Sequence, residues 1–356
     1  MLRLIAKVAG FLAYFLITLE MLFMVTPFAL YYYSAYRPLL TIPSAFAMTA
    51  WLPAFFLPHL SSDIFPNAGN LIFLLGLIGF LIGAIQVYRA KFTRRGVVAG
   101  GLYKRIRHPQ YLFLGVAGLG LLITWPRFIL LIIYVHMLWF YYILARSEED
   151  RMEIRFGDAY RKVKHATWMF LPREPGGFLQ RHLFGWIPAR KTRLVASYVC
   201  SLIVAIGIVF LLRGVSLAAT SHTVLETSKT AAISFVNMPE TDLRDIVRSA
   251  GSAEEVQSYK IENRWILVQV MFGKGSVVHT LMDAGMTHKQ AGDLHLTPAG
   301  MKLVFSKEAE GLGHQPFGTR TRWQPALIVE MSDRTVLNKI VVAPSWFPGN
   351  PVMPIF

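Results

Sequence analysis

Two short polar motifs, about forty residues apart, flank a pair of apolar runs. The first motif is Arg107-His108-Pro109 and the second is Glu148-Glu149. Proline fits the first turn of a helix, so Pro109 can begin a helix whose free N–H groups attract an anion beside Arg107 and His108. The carboxylates of Glu148 and Glu149 suit an ammonium or a sulfonium group. Together, the motifs predict a site for a ligand that carries both charges.

The apolar runs between the motifs must bring them together. The runs 110–125 and 126–146 turn at Trp125-Pro126, which predicts a tight helical hairpin. If both loop ends of the hairpin face one compartment, the two motifs meet at one membrane surface. Small residues in the first run allow close contact with a neighbouring helix, namely Gly115, Gly118 and Gly120.

The composition of the chain is that of a membrane protein. Hydrophobic residues make up 54% of the 356 residues and charged residues only 16%. The formal charge of +15 is uneven, because 1–213 carry 23 Lys and Arg against 8 Asp and Glu, whereas 214–356 carry 13 of each. Basic residues cluster in 89–107 and 151–193, beside apolar runs, which is typical of cytoplasmic loops that face anionic lipid headgroups. Nucleic-acid binding is therefore not expected.

A helix needs ~20 apolar residues to cross the bilayer. The runs long enough are 8–33, 70–88, 126–146 and 194–213, and 110–125 is slightly short. The segment 39–58 is apolar but rich in proline, and the charge of the loops favours it as a non-spanning piece. We therefore predict five spans, with six spans and an external N-terminus as the alternative. The fold class is a multi-span α-helical membrane domain, 1–213, followed by a soluble α+β domain, 214–356.

The segment 147–193 is predicted to lie at the cytosolic membrane surface. Apolar residues at helical spacing, Met152, Phe156, Tyr160 and Val163, predict one interfacial helix. A second amphipathic piece, from Phe178 to Trp186, precedes the last span.

Residues 214–356 have average polarity and balanced charge. The runs 265–272, 326–330 and 340–343 predict strands, and 240–250 predicts a short helix. The position after the last span places this domain outside the cytosol. Its histidines have no known ligand spacing, so no metal site is predicted, and the single Cys200 excludes an internal disulfide.

Four elements of the sequence occur together in one order. They are Arg107-His108-Pro109-Gln110-Tyr111, Glu148-Glu149, Phe156-Gly157-Asp158-Ala159-Tyr160 and Leu171-Pro172. In this order and spacing, they resemble the isoprenylcysteine carboxyl methyltransferase and phospholipid methyltransferase superfamily of integral-membrane enzymes. The resemblance covers about 70–172, which is under a third of the chain.

The resemblance implies S-adenosylmethionine as cofactor and a lipid-like or prenylated acceptor that arrives from the bilayer. It implies an active site on the cytosolic side, and we predict that the membrane is the cell inner membrane. The residues implied to bind the cofactor are Gly101, Tyr103, Arg107, His108, Pro109, Tyr111, Glu148 and Glu149. Arg146 would orient an acceptor carboxylate, and Glu149 or His108 would take the proton from an amine acceptor. The sequence does not choose between these acceptors, and 162–170 departs from the family pattern.

Two other functions compete with the methyltransferase. Sterol reductases resemble the same superfamily and carry an Arg-His-Pro segment, but they use reduced nicotinamide dinucleotide phosphate. Their C-terminal pattern is more often Y-G-x-x-W, whereas this chain has Phe156-Gly157 followed by Tyr160. The other alternative is a non-enzymatic receptor or scaffold that uses 214–356 to bind a partner.

Overall fold

The computed structural model describes 64–342 with short gaps, together with 51–57 and the positions 22, 24–26, 28 and 49. The gaps are 94–96, 99, 173–174, 226–228, 253, 261–264, 285, 309–315, 320, 322 and 333. The chain divides into two compact units. The helical unit comprises Met1–Tyr36, Asn67–Thr124 and Leu130–Ile206, and the sheet unit comprises Arg37–Pro66, Trp125–Ile129 and Gly207–Phe356.

Helices dominate the first two thirds of the described chain. They are α1 (Ile64–Phe92), α2 (Pro109–Thr124), α3 (Phe128–Phe156), α4 (Asp158–Ala166), α5 (Pro175–Phe184) and α6 (Arg190–Ala219). Three of them, α1 from Asn67, α3 and α6, are long and apolar enough to cross a membrane, and α2 is apolar but shorter. The predicted run 8–33 lies almost wholly outside the described residues, so the number of spans stays a prediction.

Glycine lets α1 and α2 approach within backbone contact. A Cβ atom at Gly120 would overlap the backbone of Phe73, and one at Gly76 would overlap that of Ala117. A Cβ at Gly118 would instead overlap the side chain of Met137 in α3. Close helix contact was predicted from the sequence at Gly118 and Gly120, but not at Gly76. Such contact is a main source of attraction between helices in lipid.

The described part of 39–58, which is 49 and 51–57, forms turns rather than a helix. Within the sheet unit it is tied to the start of α3, because Phe56 N donates to Pro126 O (2.8 Å) and Phe128 N donates to Ala54 O (3.1 Å). The buried Arg127 donates to Pro53 O at 3.0 Å.

One helix of the predicted surface segment is divided in two. The backbone reverses at Gly157, whose φ of 54° is a left-handed conformation that favours glycine. Met152 and Phe156 therefore belong to α3, whereas Tyr160 and Val163 belong to α4. The prediction of a single interfacial helix was wrong. The apolar residues keep helical spacing on both sides of Gly157, so the sequence pattern does not reveal the break.

The sheet unit contains a six-stranded sheet with the strands in sequence order. The strands are β1 (His222–Leu225), β2 (Thr230–Ser234), β3 (Ile266–Phe272), β4 (Met301–Glu308), β5 (Trp323–Ser332) and β6 (Thr335–Val341). Only the β2–β3 pair is parallel among the described pairs. A parallel pair needs a crossover, and α7 (Glu240–Gly251) with α8 (Glu254–Lys260) provides it.

Helices cover both faces of the central strands. Leu243 of α7 packs with Val268 of β3 on one face. On the other face, Leu281 of α9 (Gly273–Asp283) packs with Leu267, beside α10 (His288–Gly292). A strand buried on both faces has a continuous apolar sequence, which is why 265–272 was predicted correctly.

A buried ion pair joins β4 and β5, where Lys302 and Glu330 are neighbours in register. Lys302 Nζ lies 3.4 Å from Glu330 Oε1 and also donates to Ala299 O at 2.8 Å. Glu330 accepts hydrogen bonds on both oxygens, from Thr297 N at 2.8 Å and from Asn338 Nδ2 at 3.0 Å. Both charges are therefore compensated inside the sheet.

The ion pair predicts that acid destabilises the sheet unit. Burial disfavours the charged Glu330, but hydrogen bonds from Thr297, Asn338 and Lys302 outweigh it and lower its pKa. The stabilisation is complete above the ordinary Glu pKa of about 4.3 and is lost as the pH falls through the lowered folded value. We expect Glu330→Gln to lower the free energy of unfolding at neutral pH by roughly 1–3 kcal/mol.

Hydrogen exchange of the β4 and β5 amides in the full chain measures this effect. Glu308→Gln, at the half-buried end of β4, is the control and should exchange like the parent chain. Equal exchange in both variants would show that the pair does not stabilise the sheet.

Candidate functional site

The two polar motifs meet in the helical unit, where α2 begins and α3 nears its end. Arg107 Nε lies 2.6 Å from Glu149 Oε1, and the exposed fractions of the two side chains are only 7% and 1%. The predicted proximity is therefore observed. However, the motifs bind each other directly, which the sequence did not show.

The loop before α2 is also held through its backbone. Arg107 N donates to Trp168 O at 2.8 Å, and Trp168 N donates to Arg105 O at 2.9 Å. His108 N donates to Met169 O at 3.2 Å. The Arg107 guanidinium adds bonds to the carbonyls of Lys164 (2.9 Å) and Thr167. The segment after α4 thus fixes the position of the loop.

His108 lies between the two carboxylates. Its Nδ1 is 3.4 Å from Glu148 Oε2, and its Nε2 is 3.6 Å from Glu149 Oε1. Burial alone would lower the pKa of His108, but the interactions with Glu148 and Glu149 outweigh it and raise the pKa above its ordinary value. The imidazolium form is therefore favoured at this position.

A row of stacked rings supports the carboxylate pair. Tyr111 donates to Glu148 Oε1 at 2.5 Å and stacks on His108, with 5.8 Å between ring centres. Tyr141 stacks on the Tyr111 ring at 5.3 Å and donates to Met24 O at 2.8 Å. The rings of Tyr111 and Tyr141 are both buried, so the Tyr111 hydroxyl that binds Glu148 is held in one position.

Two of the predicted cofactor residues contact α1. Gly101 has a φ of 59°, and a Cβ there would meet the amide of Gln86. Leu102 N donates to Gln86 Oε1 at 3.2 Å, and Tyr103 OH is 3.5 Å from Gly83 O. These residues hold the loop against α1, while Pro109 is the buried first residue of α2.

Arg146 lies one helical turn before Glu149. Its Nη1 is 3.8 Å from Glu149 Oε2, and its side chain is 38% exposed. It is thus a member of the cluster that also reaches the surface. This position suits a group that meets a second ligand.

Sequence reasoning missed several residues of the site. Lys164 Nζ lies 3.1 Å from Glu153 Oε2 and 3.6 Å from Glu149 Oε2. No signal distinguished Lys164 from the other basic residues of α4. Gln86 could have been found, because a lone amide in an apolar helix needs a polar partner.

Three buried polar atoms of the cluster have no hydrogen-bond partner among the described residues. They are Glu149 Oε2, His108 Nε2 and Arg146 Nε. A buried polar group without a hydrogen bond costs about 1–3 kcal/mol, so such a set is expected only where a ligand or water completes it. One acceptor and two donors fit a ligand with a cationic and an anionic group, such as the amino-acid part of S-adenosylmethionine.

Comparisons of the chain with protein-family models, with curated proteins and with solved structures find no match. Function is therefore inferred from the site and from the motifs that form it.

The ion pairs of His108 predict a pH-dependent stability. Because its folded pKa is raised, the stabilisation is complete below the ordinary His pKa of about 6.5 and is lost as the pH rises through the folded value. We expect the thermal midpoint of the detergent-solubilised chain to fall as the pH is raised from about 6 to 9. His108→Gln should remove this part of the dependence.

His165→Gln is the matched control, because His165 is exposed on α4. This control should keep the pH dependence of the parent chain. A parallel fall in His108→Gln and in the parent would contradict the assigned role of His108.

Proposed function

We propose that the chain is an integral-membrane methyltransferase that uses S-adenosylmethionine and acts on a lipid-like or prenylated acceptor. The observation that carries the proposal is Glu149 Oε2, which accepts no hydrogen bond from the described residues and lies close to His108 and Arg146, each with a buried N–H that donates none to them. The order of the motifs, which resembles the isoprenylcysteine carboxyl and phospholipid methyltransferases, supports it.

The chemistry of the donor set matches this cofactor. S-adenosylmethionine supplies a methyl group on a sulfonium, and it carries an ammonium and a carboxylate at its other end. Glu149 Oε2 would accept from the ammonium, and His108 Nε2 and Arg146 Nε would bind the carboxylate. Arg107 and Lys164, both close to Glu149, keep its carboxylate in place.

A membrane reductase that uses a nicotinamide dinucleotide is the weaker alternative. Phe156-Gly157 followed by Tyr160 matches the methyltransferase pattern rather than the Y-G-x-x-W pattern that is more common in sterol reductases.

Catalysis at such a site depends on positioning and on charge placement. Arg146 is half-exposed and would orient an acceptor carboxylate beside the cluster. An amine acceptor would also need a base, and Glu149 Oε2 could not serve as one while it accepts from the ammonium of the cofactor. A carboxylate acceptor needs no base, so the arrangement of charged groups favours it.

The proposed location is the cell inner membrane, with the site on the cytosolic face. The basic segments 89–107 and 151–193 favour the cytosolic face, because Lys and Arg beside apolar helices are enriched on that side. The domain after the last span is then placed outside the cytosol.

Calorimetric titration of the detergent-purified chain tests the function. We expect saturable binding of S-adenosylmethionine and no binding of reduced nicotinamide dinucleotide phosphate. Glu149→Gln should weaken the cofactor about 10- to 150-fold, since it removes a charged hydrogen-bond acceptor. Asp150→Asn, at the exposed neighbouring position, should bind like the parent.

Circular dichroism and gel filtration must show that Glu149→Gln is folded, because it also loses the Arg107 ion pair. Binding of the dinucleotide alone would favour the reductase. Binding of neither by folded protein would favour the receptor or scaffold.

The stacked tyrosines predict a second result in the same assay. Tyr141→Phe removes the bond to Met24 O but keeps the ring, whereas Tyr141→Leu removes the stack on Tyr111. We expect Tyr141→Phe to bind S-adenosylmethionine nearly as well as the parent. Tyr141→Leu should bind several-fold less tightly, because aromatic pairs contribute about 0.5–1.5 kcal/mol. The reverse order would exclude the stack as the support of Glu148.

A further inference from the structure

Helix α5 contacts α6 through one of its sides. Gln180 Nε2 donates to Ser197 Oγ of α6 at 3.2 Å, and Phe184 on the same side is half-buried. At 100° per residue, Phe178, Leu179 and Leu183 lie within about 140° of each other on the remaining side. The helix therefore has a protein-facing side and an apolar outer side.

The outer side is exposed. Phe178, Leu179, Leu183 and Trp186 have exposed fractions of 56%, 53%, 54% and 78%. Contiguous apolar surface of this kind marks an interaction site in proteins. Tryptophan next to such a face is typical of the boundary between lipid and water.

The charged residues of α5 and of the sequence that follows it up to Cys200 are all basic. Between Pro175 and Cys200 the sequence has no Asp or Glu. Its basic residues in that stretch are Arg181, Arg190, Lys191 and Arg193. The last three lie in the first turn of α6, where the positive end of the helix dipole adds to their field. An apolar face with such a border is complementary to anionic lipid.

The position of α5 along the chain fits the same partner. Among the described residues between α3 and α6, the helices are α4 and α5, with 9 and 10 residues, and both are too short to cross a bilayer. In a membrane, the end of α3 and the start of α6 then lie at the same surface. The candidate site lies near that end of α3.

We propose that α5, Trp186 and the first turn of α6 form a docking surface for anionic phospholipids of the surrounding bilayer. The apolar side chains insert between the acyl chains, and the basic residues bind the phosphate groups. This surface binds lipid whether or not the chain is a methyltransferase.

Native mass spectrometry of the full chain with phosphatidylglycerol or phosphatidylcholine tests whether the basic residues bind anionic lipid. We expect preferential retention of phosphatidylglycerol. Arg190→Gln with Lys191→Gln should weaken its binding about 30-fold, from the ordinary effect of about fivefold for each basic residue. The control is Arg248→Gln with Arg334→Gln, two exposed arginines of the sheet unit, and should behave like the parent.

Quenching of tryptophan fluorescence in nanodiscs of brominated lipid tests whether the apolar side chains insert between the acyl chains. Trp186→Phe should reduce the quenched fraction of the emission, whereas Trp265→Phe, at the start of β3, should not. Equal retention of both lipids, unchanged binding in the basic double variant, or unchanged quenching in Trp186→Phe would each overturn the proposal.

Discussion

The buried ion pair between Arg107 and Glu149 is the interaction on which the candidate site depends. Removing charges from water is expensive, and a buried pair persists only when its remaining donors and acceptors find partners. The guanidinium meets this requirement through the carbonyls of Lys164 and Thr167. The same ion pair therefore joins the start of α2, the end of α3 and the segment after α4. Loss of either partner would leave a buried charge without its closest ion-pair partner at the point where these three segments meet.

Two buried ion pairs of this chain differ in a way that separates structure from function. In the sheet unit, both oxygens of Glu330 accept hydrogen bonds, so the Lys302 pair is closed. In the helical unit, Glu149 Oε1 binds Arg107, whereas Oε2 has no hydrogen bond from the described residues. A pair whose carboxylate oxygens both accept hydrogen bonds stabilises a fold, whereas a carboxylate oxygen without a hydrogen bond can bind a ligand. This contrast, rather than burial alone, identifies the Glu149 cluster as the candidate site.

The sequence predicted the elements that are set by local pattern. The hairpin was predicted from two apolar runs, and β3 was predicted from a continuous apolar run. Both predictions were possible because the apolar pattern of a segment reflects whether its surroundings are apolar. Partners are different, since spacing shows which face a residue occupies but not what it meets there. The direct Arg107–Glu149 bond and the role of Lys164 were missed for that reason. Strand β4 was missed because Lys302 interrupts its apolar run, and its charge is compensated only by a distant residue, Glu330.

A lipid-like acceptor would make the surface of α3 part of the site. Such a molecule diffuses within the leaflet, so it must reach the cluster from the side rather than from water. Phe140, Ile143 and Arg146 follow one another at three-residue spacing, and Phe140 and Ile143 are 37% and 59% exposed. Residues at this spacing form a row along a helix. An apolar chain lying on this row would bring its polar end to Arg146, whose Nη1 is 3.8 Å from Glu149 Oε2. On the proposed function, Arg146 is therefore the residue at which the bilayer and the charged cluster meet.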